Sequence, residues 1–380
     1  MSSIKGKLSL ALERDLSAPI GLNNLRRVVI HAGCVTCKDH LIKRKISILH
    51  QIPMMNAFVA EVSMRALPAL ASMGYIRHIE DDAVVRISMD IARSTVYASM
   101  AQSEGLRGEG ITIAAIDTGI FPHEDFVTPS DRIIFFLDLI NGRTEPYDDN
   151  GHGTFCMGCA GGNGMASAGE FAGIAPQANL LMIKAMDEDG GGRISDILRA
   201  MQWVYDNVDT YNIRVLSMSL GIEPFMINPF RDSLAEAATT LWRRGIVVCA
   251  AAGNSGPAQG TINSPGTAKS VITVGAVDDR NPELKIARFS SRDREGGDKP
   301  DLLAPGVNIR SVAAKQGAYT NMSGTSMATP IVAGCAALLL EKEPELSPDD
   351  VKSRLLAEAA SINEPENIQG KGVVSMKGVV

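Results

Sequence analysis

Aromatic residues are scarce in this chain, making up 5% of its 380 residues, and no apolar run reaches the about 18 residues that a membrane-spanning helix needs. The N-terminus lacks the hydrophobic core of a signal peptide. Lysine and arginine number 37 against 43 aspartates and glutamates, a net charge of −6 with no long basic run. These absences argue against membrane insertion and against nucleic-acid binding. We expect a cytoplasmic protein, with export by another route as an alternative.

The chain has only six cysteines, at positions 34, 37, 156, 159, 249 and 335. This number is too small for a disulfide scaffold, which is a second reason to expect a reducing compartment. Cys34 and Cys37 form a Cys-x-x-Cys pair with His31 and His40 nearby, a weak signal for zinc. We therefore predict no metal site from these residues.

The first ninety residues show a pattern of their own. They contain β-type runs at 26–31, 57–62 and 75–79 and a helical pattern at 65–73. A strand and a helix, two strands, then a helix and a strand is the order of a small ferredoxin-like α+β unit. We predict such a domain over residues 1–90.

The remaining chain, residues 91–380, alternates short apolar runs with amphipathic stretches. Predicted strands lie at 111–116, 180–184, 215–219, 246–252 and 271–274, and predicted helices at 195–208, 233–244 and 325–341. Alternation of this kind is typical of an α/β domain in which helices cover both faces of a mostly parallel sheet. Functional residues are then expected at the carboxyl ends of the strands.

Four positions could carry chemistry. Asp117 closes the first strand of the second domain, His152 lies between two glycines where a helix begins, Asn254 lies in a loop of small residues, and Ser326 lies in the first turn of an apolar helix. Taken singly, each has an ordinary interpretation as a turn residue, a loop histidine or a helix-capping serine.

Together the four residues supply what acyl transfer requires: a hydroxyl nucleophile, a base, a carboxylate that orients the base, and donors for the oxyanion. The order Asp117, His152, Ser326 differs from the order in α/β-hydrolases, and no Gly-x-Ser-x-Gly motif surrounds Ser326, which disfavours a lipase or esterase. An aspartic protease needs a second Asp-Thr-Gly or Asp-Ser-Gly, and none is present.

The loops that carry these residues resemble the signatures of the subtilisin-like serine proteases, the subtilases. The matching runs are Asp117-Thr-Gly-Ile, Gly151-His-Gly-Thr, Ala251-Ala-Gly-Asn-Ser-Gly-Pro and Ser323-Gly-Thr-Ser-Met-Ala-Thr-Pro. Longer runs at 144–154 and 299–308 resemble the AprX-like branch more narrowly. The resemblance covers residues 108–360 and implies a three-layer subtilisin-like domain with serine endopeptidase activity.

The resemblance also implies a role for each matched residue. Ser326 would attack the peptide carbonyl, His152 would act as the base and then the acid, and Asp117 would orient His152. The side chain of Asn254 and the backbone N–H of Ser326 would form the oxyanion hole. Expected substrate-binding residues are Ser219, Leu220 and Gly221 on one side of an extended peptide, Gly190, Gly191 and Gly192 as a strand on the other, and Ala251, Gly253 and Asn263 around the pocket for the side chain before the cut.

Three departures from the family pattern qualify this picture. Phe155 stands where the family usually has a second histidine, so we expect altered packing without loss of activity. Asn263 replaces a small residue at the pocket floor, which argues against a preference for very large side chains. Asp125 matches a calcium ligand of secreted subtilisins, but the Asn-rich calcium loop is missing, so no cofactor is expected to be required.

Cys156 and Cys159 follow His152 at a spacing of three residues, and we expect small packing residues there. A redox switch beside His152 is the alternative, and it would require reactive thiols of low pKa.

By its position, the N-terminal unit resembles a subtilase propeptide, which assists folding and inhibits the mature enzyme. Its tail would lie in the active cleft and be cut near residues 85–90. The expected partners are peptide or protein substrates and this propeptide. One alternative is an accessory domain that is never removed. Another is a single-turnover or inactive relative that keeps the domain bound and acts as a regulatory binding protein.

Overall fold

A computed structural model describes residues 7–8, 12, 16, 24–44, 46–53, 56–81, 89–226 and 232–379. The chain divides into two compact units, Met1–Val85 and Arg86–Val380, where the sequence suggested a boundary at residue 90. No helix in these described ranges combines the length and the hydrophobicity needed to cross a bilayer.

The first unit contains one four-stranded antiparallel sheet. Its elements are β1 (Leu25–Ala32), α1 (Lys38–Lys43), β2 (Ser47–Ile52), β3 (Ala57–Ser63), α2 (Leu67–Ala71) and β4 (Ile76–Asp81). The strand order is β2-β3-β1-β4, and all three pairings are antiparallel. Short 3₁₀ turns, Val35–Cys37 and Met64–Ala66, precede the two helices. The predicted strand–helix order and the small antiparallel sheet are therefore confirmed.

The second unit is built on an eight-stranded sheet. Its strands are β5 (Thr112–Asp117), β6 (Ile133–Asp138), β7 (Asn179–Lys184), β8 (Ile213–Met218), β9 (Val247–Ala251), β10 (Ile272–Asp278), β11 (Lys285–Ile286) and β12 (Leu302–Pro305). The order is β11-β10-β9-β8-β5-β7-β6, with β12 beside β10. Every pairing is parallel except that of β10 with β11. A separate hairpin joins β13 (Ile309–Val312) and β14 (Tyr319–Met322).

The helices of this unit are α3 (Met89–Thr95), α4 (Ala98–Ser103), α5 (Glu124–Val127), α6 (His152–Gly161), α7 (Ile194–Asn207), α8 (Ser233–Arg243), α9 (Thr325–Lys342), α10 (Pro348–Ala357) and α11 (Glu366–Gln369). Helices α6 and α9 pack against each other and against the sheet, and α7 and α8 do the same. All six residues of β5 are buried, as expected for a strand covered on both faces. The mostly parallel α/β domain predicted from the sequence is confirmed.

Helix α9 fills the centre of the domain. Fifteen of its residues are buried, including the whole run from Met327 to Leu340. Amphipathic α7, in contrast, buries only Ile197, Ala200, Met201 and Val204 and exposes its other face. The start of α9 is thereby held at a fixed point beside the carboxyl ends of the strands.

Candidate active site

Three neighbouring parallel strands end at the same edge of the sheet and bring three predicted residues together. Asp117 is the last residue of β5, Ser219 directly follows β8, and Asn254 lies three residues beyond β9. Because β5, β8 and β9 are adjacent in the sheet and point the same way, their carboxyl ends meet, as in other open α/β sheets. His152 and Ser326 reach this edge from the first turns of α6 and α9.

Asp117 and His152 form a close pair. The Nδ1 atom of His152 lies 2.8 Å from Oδ1 of Asp117, whose side chain is 1% exposed while that of His152 is 25% exposed. The backbone N–H of Thr118 donates to the same carboxylate oxygen at 2.7 Å. The aspartate is therefore fixed in the interior, whereas the imidazole is partly exposed.

Burial disfavours the charged imidazole and by itself would lower the pKa of His152. The neighbouring Asp117 carboxylate acts against this, with smaller contributions from Cys156, and the net result is a pKa well above the usual 6.5.

The His152 loop approaches β5 closely because Gly153 has no side chain. A Cβ atom on Gly153 would lie 2.2 Å from the carbonyl oxygen of Gly119, a distance that no side chain tolerates. The glycine that precedes His152, Gly151, has a φ of 99°, which favours glycine. The two glycines beside His152 are thus needed to set α6 against the end of β5.

Asp148 organises the same loop, a role that the sequence analysis did not assign. Its Oδ1 accepts hydrogen bonds from the Thr118 hydroxyl and from the amides of Asn150 and Gly151. Its Oδ2 accepts from the amide and the hydroxyl of Thr154. One buried carboxylate therefore ties the segment after β5 to the start of α6.

Lys184, at the end of β7, is a second residue that the pattern did not reveal. Its ammonium group is fully buried and donates to Asp149 at 2.7 Å and to the carbonyl oxygens of Thr118 and Met186. A buried cation needs such complete pairing. The only signal in the sequence is a lysine that ends an apolar strand.

Ser326 is held by two reciprocal contacts with Ser219. The hydroxyl of Ser219 donates to the carbonyl oxygen of Ser326 at 2.8 Å, and the hydroxyl of Ser326 donates to the carbonyl oxygen of Ser219 at 3.1 Å. The thiol of Cys156 lies 3.9 Å from both ring nitrogens of His152 and 3.4 Å from the Ser326 carbonyl oxygen. One buried sulfur thus contacts both the His152 ring and the Ser326 backbone.

The amide of Asn254 has a fixed orientation. Its Oδ1 accepts from the backbone N–H of Thr325 at 2.9 Å and from the Thr325 hydroxyl at 3.1 Å. Its Nδ2 and the Ser326 amide nitrogen converge on Gly324, where an added Cβ would lie 3.5 and 3.6 Å from them. Both nitrogens therefore lie close to the start of α9.

A cavity of about 330 Å³ opens at this point. It is lined by Ser219, Leu220, Gly221, Glu223, Ala251, Gly253, Asn254, Ser255, Asn263, Thr325 and Ser326. Eight of these eleven residues are predicted from the sequence as nucleophile, oxyanion or substrate-binding residues, whereas Glu223, Ser255 and Thr325 are not. The Ser255 hydroxyl donates to Glu223 at 2.8 Å, which places a carboxylate at the wall of the cavity.

Asn263 fills the space between two glycines of this cavity. A Cβ on Gly221 would lie 2.8 Å from the Asn263 Cβ, and one on Gly253 would lie 2.7 Å from its Cγ. Gly253 also has a φ of 108°, a conformation that side chains rarely adopt. The Asn263 Oδ1 is buried and has no hydrogen-bond donor from the described part of the protein.

Gly190, Gly191 and Gly192 lie outside this cavity, in a loop rather than in the strand expected from the sequence. The loop is closed by Asp187, whose carboxylate accepts from the Gly191 amide at 2.8 Å and whose amide donates to the Gly191 carbonyl oxygen at 2.7 Å. These local hydrogen bonds use backbone groups that a strand would present to a neighbour. The Asn150 side chain donates to the backbone carbonyl oxygen of Glu188 in the same loop, which links the loop to the His152 segment.

Asp125 and its neighbours bear on the expected calcium position. Both carboxylate oxygens of Asp125 lie 2.9 Å from the Tyr319 hydroxyl, and Oδ1 also accepts from the Ala166 amide at 3.0 Å. Asp125 is fully buried. These partners are hydrogen-bond donors, whereas calcium requires six to eight oxygen ligands.

The thiols of Cys156 and Cys159 are buried, and burial raises the pKa of both. A redox switch beside His152 would need thiols of lowered pKa, so the structure supports the packing interpretation.

Asp117, His152 and Cys156 are also the only group of three potential metal ligands in the described ranges. A protonated thiol is a poor metal ligand, which argues against a metal here.

Phe155, the residue before Cys156, is fully buried in the core.

The mostly parallel α/β fold and the site around Asp117, His152 and Ser326 together indicate the class of protein. Comparison of the sequence with known families identifies that class. A profile of the subtilase family matches residues 108–372, and the chain belongs to this family. It is a subtilisin-like serine endopeptidase that hydrolyses peptide bonds in peptides or proteins.

Individual relatives agree with this assignment. The chain is 42% identical over 353 residues to serine protease AprX of Bacillus subtilis (strain 168), covering 86% of this chain and 79% of AprX. It is 32% identical over 335 residues to an alkaline protease of Alkalihalobacillus alcalophilus, covering 87% and 81% of the two chains. Its structure matches sphericase with a TM-score of 0.64 at 29% identity, over 77% of this chain and 100% of sphericase. A cold-adapted subtilisin-like serine proteinase matches with a TM-score of 0.58 at 30% identity, over 71% and 89%.

The geometry at His152 gives a prediction that can be measured without turnover. In a Ser326→Ala chain, NMR titration of the His152 imidazole should give a pKa well above 6.5, and Asp117→Asn should lower it by removing the carboxylate. Because the folded pKa is raised, the pair stabilises the fold fully below the unfolded value. This stabilisation is lost as the pH rises through the folded pKa.

Asp206→Asn is the matched control, because Asp206 lies on α7 and pairs with Gln202 instead of His152. A His152 pKa of 6.5 or below, or one that Asp117→Asn leaves in place, would show that the carboxylate does not control the titration.

Proposed function

We propose that Ser326, His152 and Asp117 act as nucleophile, general base and orienting carboxylate of this endopeptidase. On arrival of a substrate, Ser326 exchanges its hydrogen bond to Ser219 for one to Nε2 of His152 and then attacks the peptide carbonyl. His152 takes the hydroxyl proton and later gives it to the leaving amine. The 2.8 Å contact between His152 Nδ1 and the buried Asp117 supports these roles.

The raised pKa of His152 gives this proposal a pH dependence. A general base must be neutral, so the working fraction of the enzyme falls as the pH falls through that pKa. We therefore propose that the enzyme works best on the alkaline side of neutrality.

The oxyanion of the tetrahedral intermediate would accept hydrogen bonds from the Asn254 side-chain amide and from the Ser326 backbone N–H. The observation that carries this step is the orientation of Asn254: its Oδ1 accepts two hydrogen bonds from Thr325, which leaves Nδ2 as the donor of this side chain. Donors fixed before the reaction need no reorganisation when charge develops, and this makes them effective.

The substrate would bind as an extended strand. Ser219, Leu220 and Gly221 continue from β8 along the cavity wall, where their backbone groups could pair with a peptide. The side chain before the cut would enter the cavity of about 330 Å³ between Ala251, Gly253 and Asn263. The Gly190–Gly192 loop would line the other side of the peptide.

We further propose that the N-terminal unit is an inhibitory propeptide and that the chain cleaves itself once near residues 85–90, of which 85–88 lie outside the described residues. Met1–Val85 forms a compact unit with its own core, separate from the region 108–372 that matches the family profile. The similarity to AprX covers more of the chain than the second unit alone and so extends into the first.

Removing the nucleophile tests these proposals together. Purified wild type should shed a fragment of about ninety residues and digest casein, while Ser326→Ala should stay at full length and be inactive. Intact mass and casein hydrolysis measure the two outcomes. A matched control is Ser323→Ala, three residues earlier, whose hydroxyl accepts from the Asn308 amide.

The result separates the alternatives. Cleavage without casein turnover, with the fragment still bound, would favour the single-turnover regulatory protein. If wild type and Ser326→Ala are equally intact and inert, Ser326 is not the nucleophile. An intact wild type that digests casein would favour an accessory domain that is never removed.

The oxyanion proposal has its own test. Asn254→Asp keeps an oxygen to accept from Thr325 but removes the donor, so kcat should fall by about 10²–10³-fold, the loss found for the corresponding asparagine of a subtilisin, with KM little changed. Asn254→Ala should lose the same factor. Activity near the wild-type level in Asn254→Asp would mean that the Thr325 contact, and not the donor, is what matters.

We propose that no calcium is required at Asp125, because the Tyr319 hydroxyl and the Ala166 amide already occupy its carboxylate. Removing divalent metals with EDTA should leave the Tm of Ser326→Ala unchanged. Tyr319→Phe should lower the stability by about 1–3 kcal/mol, because it deprives a buried carboxylate of a donor. Tyr205→Phe, at a more exposed tyrosine, is the control. A Tm that falls with EDTA and recovers with calcium would contradict the proposal.

The cytoplasm is the compartment that we propose for this protein. All six cysteines carry free thiols in the structure, as is usual in a reducing compartment. Fractionation of cells that express the tagged chain would test this, since recovery from the medium would overturn it.

A further inference from the structure

The Cys34-x-x-Cys37 pair of the first unit has no part in the proposed mechanism, yet its geometry is unusual. The two residues lie at the 3₁₀ turn between β1 and α1, with their Sγ atoms 2.7 Å apart. The Cys37 amide donates to the Cys34 carbonyl oxygen at 3.3 Å, which closes the turn. A disulfide has an S–S distance of about 2.05 Å, so the sulfurs need to approach by well under an ångström to bond.

The two thiols differ in access to solvent and in acidity. Cys34 is exposed, whereas Cys37 is 3% exposed. Hydrogen bonds from the Cys37 thiol and the Thr36 hydroxyl lower the pKa of Cys34. The hydrogen bond to Cys34 and burial raise the pKa of Cys37. An accessible thiolate beside a sheltered thiol is the arrangement in which one sulfur attacks a disulfide and the other resolves the product.

A zinc site fits these residues less well. His31 pairs with Glu80 at 2.7 Å, and the ring of His40 packs against Tyr75. Within the described ranges, no third histidine, cysteine or carboxylate joins the two sulfurs as a potential ligand group. A structural zinc requires four ligands, so the pair is better suited to redox chemistry than to metal binding.

We propose that Cys34 and Cys37 form a reversible dithiol–disulfide site that exchanges with low-molecular-weight disulfides such as oxidised glutathione. The Cys34 thiolate attacks one sulfur of the small disulfide, whose S–S bond breaks and releases one thiolate. Cys37 then loses its proton to solvent and attacks the Cys34 sulfur, releasing the second thiolate. The two protein thiols are oxidised to one disulfide, and the small disulfide is reduced to two thiols.

The chain contains a control with the same spacing. Cys156 and Cys159 are also three residues apart, but they lie inside α6 and are fully shielded from solvent. Burial raises the pKa of both thiols, and Cys156 makes its contacts with His152 and Ser326. This pair should not react under conditions that oxidise Cys34 and Cys37.

The experiment uses the full chain carrying Ser326→Ala, so that the result does not depend on self-cleavage or on the proposed catalytic roles. The protein is equilibrated with mixtures of reduced and oxidised glutathione, alkylated in urea and mapped by peptide mass. We expect a Cys34–Cys37 disulfide, seen as the loss of two hydrogen atoms, that forms as the oxidised fraction rises and disappears with dithiothreitol. The other four cysteines should be recovered alkylated.

Single substitutions separate the roles of the two sulfurs. Cys37→Ser should accumulate a glutathione adduct on Cys34, because nothing resolves it, whereas Cys34→Ser should stay unmodified because Cys37 is buried. Circular dichroism checks that each variant is folded. The proposal is overturned if no disulfide forms at any glutathione ratio, if glutathione persists on Cys34 although Cys37 is present, or if Cys156 and Cys159 are oxidised equally.

Discussion

The structure of the candidate active site depends on the burial of three adjacent parallel strands, β5, β8 and β9, between two pairs of helices. Parallel strands must all end at the same edge, and strands covered on both faces cannot shift without exposing apolar residues. That constraint fixes Asp117, the Ser219 segment and the Asn254 loop relative to one another. Helix α9, packed against the same strands, then brings Ser326 to this edge.

The strands bring the loops of the site close together, and hydrogen bonds to buried polar side chains fix the positions of these loops. Asp148 accepts from five donors, four of them in the segment around His152 and one at Thr118, and Lys184 ties Asp149 to the backbone beside Asp117. Such groups are costly to leave unpaired, so each network has one arrangement that satisfies all of its members. The loop that carries His152 is therefore held by side chains outside the Asp117–His152 pair.

Close packing of backbone explains why glycine occurs at so many places in this site. At Gly153 a side chain would collide with the Gly119 carbonyl, and at Gly253 it would collide with Asn263. The same scarcity of space gives Asn263 its position at the cavity floor. The dimensions of the cavity thus depend on contacts between several loops and not on any one segment. All of these loops lie more than 100 residues beyond β5 along the chain.

The sequence by itself determined the alternation of strands and helices, the residue types for acyl transfer and the family, because these lie in local patterns and in long motifs around Asp117, His152, Asn254 and Ser326. Only the tertiary structure decided that the Asn254 oxygen bonds to Thr325, that Lys184 is buried and that Tyr319 reaches Asp125. It also distinguished two Cys-x-x-Cys pairs of equal spacing, one in contact at a turn and one buried in a helix. The physical reason is that burial, hydrogen-bond partners and pKa depend on contacts between distant segments, which no local pattern encodes.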